Sequence, residues 1–69
     1  MDVTIFFSSI SWAIQAQKLL EKHGMHSSMR KVSKIGPDGG CGYALDLSGD
    51  LNSALRLLES EGIKYIGVA

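Results

Sequence analysis

Twice along this chain, a segment that alternates every second residue gives way to a helical stripe and then to alternation again. A period of two reads as strand and a period near 3.6 as helix. Val3, Ile5 and Phe7 alternate with Thr4, Phe6 and Ser8, so Val3–Ser8 is predicted as a strand. Phe6 makes its second face partly apolar, which suits a central position. From Ile10 to His23 the spacing is helical. Trp12, Ala13, Ala16, Leu19, Leu20 and His23 fall on one arc of roughly 120°. Ser9 or Ser11 is placed to cap that helix, and Gly24 to stop it. Ile14 falls among the outward-facing polar residues.

The second half repeats the order. Met25–Lys34 alternates weakly and is polar on both sides, the pattern of an edge strand. Arg30, Lys31 and Lys34 suit such an edge, because charge deters edge-to-edge pairing. Ile35–Gly42 is predicted as a loop around Gly36-Pro37-Asp38-Gly39-Gly40. Tyr43–Leu47 is the third strand. Ser48-Gly49-Asp50 is a second capping region, and Leu51, Ala54, Leu55 and Leu58 form the stripe of a second helix. Gly62 ends it, and Ile63–Val68 is the last strand. The order is β-α-β-β-α-β. Right-handed crossovers place both helices on one face of one sheet. The expected fold is an α+β, ferredoxin-like sandwich: a four-stranded antiparallel sheet of order 4-1-3-2 with two helices behind it.

With 69 residues, the expectation is a single small domain, 1–69, with about 3–5 kcal/mol available from its core. Self-association, as a homodimer for instance, is a reasonable supplement. One cysteine, Cys41, excludes an internal disulfide, and Cys41 with His23 and His26 falls short of a four-ligand zinc site. No metal or other cofactor is expected. Seven basic and seven acidic side chains balance, which argues against a general nucleic-acid binder. No apolar run is long enough to span a bilayer and no leader resembles a secretion signal, so the expected location is cytoplasmic. Charge is uneven: residues 1–34 sum to +3 and residues 35–69 to −3. Ordinary solvated faces explain that, and complementary association surfaces are the alternative.

Cys41 is the first candidate for chemistry. It lies in Gly39-Gly40-Cys41-Gly42, where a loop enters a central strand and small neighbours leave a thiol accessible. Arg30, Lys31 and Lys34 on the hairpin partner are placed to favour its thiolate, the nucleophilic form. The competing reading is a small buried hydrophobe at a strand start. His23 and His26 flank Gly24 one strand length away, too far to complete a cysteine-hydrolase site. The glycine run lacks a Gly-Lys-Ser/Thr ending and leads into a strand, so it is a poor phosphate cradle. Gly42-Tyr43-Ala44 echoes the third-strand motif of RNA-recognition modules, but Leu45 replaces the second aromatic and Asp46 would repel phosphate. Phe6, if it shares the open sheet face with Ala44, marks a partner surface.

The stretch Gly40-Cys41-Gly42-Tyr43-Ala44-Leu45 resembles the Putative Se/S carrier protein-like family of small bacterial and archaeal proteins. The likeness extends through Ser8-Ser9, the helix with Ala13, Ala16 and Lys18-Leu19-Leu20, Gly24, Leu51, Gly62-Ile63, Tyr65 and Gly67. It implies a non-enzymatic carrier rather than a stand-alone catalyst. Cys41 would accept sulfane sulfur or selenium from a desulfurase-like donor and pass it to an acceptor protein. The alternative is a ferredoxin-like interaction or small-molecule regulatory module with a structural cysteine. A redox sensor using a Cys41–Cys41 disulfide between copies is a third possibility.

Overall fold

The computed structural model describes residues 2–35 and 40–69, without the side chains of residues 2, 34, 35, 40 and 41. Its elements run β1 (Asp2–Phe7), α1 (Ile10–Lys22), β2 (Ser27–Ile35), β3 (Gly40–Ser48), α2 (Leu51–Ser60) and β4 (Gly67–Val68). The architecture is α+β, with a four-stranded sheet of order β2-β3-β1-β4. Every neighbouring pair is antiparallel. Counted from the other edge, the order is 4-1-3-2, with the first and third strands central as their apolar content predicts.

Directly opposed residues in an antiparallel pair share a face. Ile5 pairs with Leu45 and Val3 with Leu47. Ile5, Phe7, Leu45 and Leu47 are buried together with Ala13, Ala16 and Leu20 of α1 and Ala54 and Leu58 of α2. Both helices thus cover one sheet face. Thr4, Phe6, Ala44 and Asp46 take the opposite, uncovered face. Phe6 stands there opposite Ala44, half-buried. His23, predicted on the apolar arc of α1, is exposed and serves as the C-cap.

The caps explain where each element begins and ends. Ser9, not Ser11, caps α1, its Oγ accepting from the Trp12 N–H at 3.3 Å. Asp50 caps α2, accepting from Asn52 N–H at 3.1 Å and from the Ser53 hydroxyl at 2.8 Å. Both helices finish in the same way. Gly24 and Gly62 adopt φ of +80° and +70°. Their N–H groups donate to Glu21 O and Glu59 O, and the N–H groups of Met25 and Ile63 donate to Leu20 O and Leu58 O. That is the paired hydrogen-bond closure of a left-handed helix stop.

These closures correct two predicted boundaries. Ile63 is occupied in closing α2 and packs into the core, so β4 is Gly67–Val68 and not Ile63–Val68. Met25 plays the same part after α1, and β2 starts at Ser27. A third correction bears on the site. β3 begins at Gly40, three residues before the predicted Tyr43. The predicted Ile35–Gly42 loop therefore loses both ends to strand, and residues 36–39 of it lie outside the described residues.

Candidate functional site

Cys41 is the second residue of β3, within a paired strand and not in a loop. Val32 pairs with Gly42, and Ile35 with Gly40. Ser33 and Lys34 of β2 therefore stand opposite the single residue Cys41. One extra residue on one strand is a β-bulge, which bends the strand and re-aims its side chains. Gly42 is buried. Gly40 is placed by its backbone pairing with Ile35, and Gly39 lies outside the described residues.

The topology brings a helix terminus to this end of the sheet. β1 ends at Phe7, which pairs with Tyr43. Two residues beyond Phe7 is Ser9, the N-cap of α1; two residues before Tyr43 is Cys41. Helix N-termini carry partial positive charge, which favours anions such as a thiolate. The first turn of α1 contains no acidic side chain to offset it. The relation is not legible along the chain, because the helix is delivered by β1 and does not follow Cys41 in sequence.

The three basic residues proposed for the thiolate separate. Arg30 is opposite Ala44, on the uncovered face. Its Nε–H donates to Asp46 Oδ2 at 2.6 Å and its Nη2 donates to Asp46 Oδ1 at 3.3 Å. The Thr4 hydroxyl donates to the same Oδ1 at 2.6 Å. The Arg30 and Thr4 hydrogen bonds hold the Asp46 carboxyl below the usual carboxylate range, and Asp46 holds the Arg30 guanidinium still more firmly protonated. Lys31 is opposite Tyr43, on the helix-covered face, and is exposed. Lys34 is placed by backbone alone, within the bulge opposite Cys41.

His23 and His26 are exposed at the other end of the sheet, where Ser27 pairs with Leu47. Tyr43 packs against the core on the helix side. It is therefore not an aromatic platform on the uncovered face, and Asp46 occupies that face together with its partners. No group of three or more His, Cys, Asp or Glu gathers among the described residues. No helix among them is long and apolar enough to cross a membrane.

No curated protein and no solved structure gives a significant match to the chain. The family described as Putative Se/S carrier protein-like matches residues 2–69. The match takes in every strand and helix described above, Cys41 included, and the chain belongs to that family.

Proposed function

We propose that this protein carries sulfur or selenium on Cys41, within a ferredoxin-like sandwich in the cytoplasm. The observation that carries this reading is family membership over residues 2–69 in a chain with one thiol. The Cys41 thiolate attacks the outer sulfur of a donor persulfide. A bond forms between Cys41 Sγ and that sulfur, the donor's S–S bond breaks, and the donor cysteine leaves as a thiolate. The acceptor reverses the step. A selenium-bearing donor follows the same scheme through a selenosulfide. No net oxidant is consumed, so the carrier needs only an accessible, ionised thiol and a surface for its partners.

Three features support the thiolate: the α1 N-terminus at the same end of the sheet, Lys31 on the helix-covered face, and Lys34 opposite Cys41 in register. Gly39, Gly40 and Gly42 give that thiol small neighbours. Arg30 contributes less, since its guanidinium is engaged by Asp46. The partners are a desulfurase-like donor protein and an acceptor protein, and a homodimer is compatible with the small core.

The test uses reduced protein, a cysteine desulfurase and cysteine, with intact mass as the readout beside Cys41→Ala. The expected result is a gain of one sulfur atom that reductant removes and the variant lacks. An unchanged mass, with Cys41 alkylated only after denaturation, overturns the carrier reading. It would favour the interaction module, for which half-exposed Phe6 on the uncovered face is the specific observation.

A further inference from the structure

We infer that the Arg30–Asp46 pair is a register lock for β2, and that through β2 it sets which residues stand opposite Cys41. Register in a sheet is normally specified by an apolar face, because a slip of one residue turns every side chain over. Among its described side chains, β2 lacks such a face. Its helix side presents Ser27, Met29 and Lys31, and its uncovered side Ser28, Arg30 and Val32. Among them, Met29 alone packs against the core cluster. A slipped β2 would forfeit the packing of Met29 and the hydrogen bond that Gln17 Nε2 donates to Ser27 O at 3.2 Å, but no apolar stripe, so the hydrophobic pattern specifies its register weakly.

The ion pair supplies what the pattern lacks. Asp46 is directly opposite Ser28, and Arg30 reaches it on the diagonal with two donors. A one-residue slip moves Arg30 to the other face and breaks both bonds. The carboxylate is also anchored independently of β2. Thr4 on β1 holds it, and the β1–β3 register is set by the buried Ile5–Leu45 and Val3–Leu47 pairs. Polar pairs that select one register among near-equal alternatives are a well-attested use of ionic groups. With β2 held at Arg30, regular pairing continues to Val32 and Gly42. The extra residue of β2 is then absorbed beyond that point, opposite Cys41. Arg30 and Asp46 are thus positioning residues for the thiol. That last step rests on the carrier reading; the register lock does not.

The experiment is NMR on isotope-labelled protein with Asp46→Asn and with Arg30→Met, together with the pH profile of Cys41 alkylation. Arg30→Met keeps an unbranched stem and serves if Asp46→Asn fails to fold. The expected result is loss, or partial replacement by a shifted set, of the Met29–Leu45 and Lys31–Tyr43 cross-strand contacts, with a displaced alkylation profile. The swapped pair Arg30→Glu with Asp46→Arg should restore a single register. Folded variants with unshifted contacts and an unchanged profile overturn the proposal. Shifted contacts with an unchanged profile overturn its Cys41 part alone. A register and profile that both shift, in a protein that never accepts sulfur, uphold the lock and sink the carrier.

Discussion

Arg30 Nε lies 2.6 Å from Asp46 Oδ2, across the uncovered face of the sheet, with the two residues offset diagonally and not directly opposed. The side chains are 53% and 39% exposed, so solvent screens the pair and its stabilising effect is modest. Its pH dependence is nevertheless directional. The carboxyl of Asp46 titrates lower in the folded chain than in the unfolded one. Its contribution is therefore fully present above the unfolded carboxylate pKa and is lost as pH falls through the folded value. Urea midpoints of the native chain and Asp46→Asn should differ at neutral pH and converge at the acid end. A gap that persists or widens there would contradict the assignment.

Alkylation of Cys41 at neutral pH should report the charge around it. Lys31→Glu is expected to slow the reaction several-fold, by removing a positive charge on the helix-covered face and adding a negative one. Lys22→Glu, in the last turn of α1 at the other end of the sheet, is the control and should leave the rate unchanged. Equal slowing by both variants would mean that only net charge matters.

Ser9 links stability to the same end of the sheet. Ser9→Ala removes the acceptor for Trp12 N–H and should cost about 0.5–2 kcal/mol. Asp50→Ala at the head of α2 should cost a similar amount. Because α1 begins at the Cys41 end of β3 and α2 at its far end, after Ser48, Ser9→Ala should also change the rate of Cys41 alkylation, and Asp50→Ala should not. Denaturant curves and alkylation kinetics on the two variants check both expectations.

At Gly24 and Gly62 a new Cβ would meet nothing within 4 Å, yet both backbones are left-handed. Alanine at either position should therefore cost roughly 1–2 kcal/mol through backbone strain alone. Leu58→Ala should cost more, about 2–5 kcal/mol, because it leaves a cavity under α2. Ile14→Ala on exposed α1 surface should stay within about 0.5 kcal/mol. Thermal or urea melts that rank these variants otherwise would show that α2 is not packed as described.

The local periods of apolar residues determine the six elements and the centrality of β1 and β3, and Gly24 and Gly62 determine the two helix stops. Periodicity and backbone permissiveness are properties of short segments, and they survive in the fold because burial reinforces them. Along the chain Met25 and Ile63 read as strand, because an apolar residue after a glycine serves equally well to extend a strand or to close a helix. Which one occurs depends on whether a core lies under the helix end. The single thiol and its small neighbours are likewise legible along the chain. Register is not. Whether Arg30 or Lys31 shares a face with Leu45, which residues oppose Cys41, and that α1 starts beside it are decided by pairing between segments far apart in sequence. In a strand polar on both sides no residue announces its face, and only the closed sheet, with Asp46 holding Arg30, makes the choice.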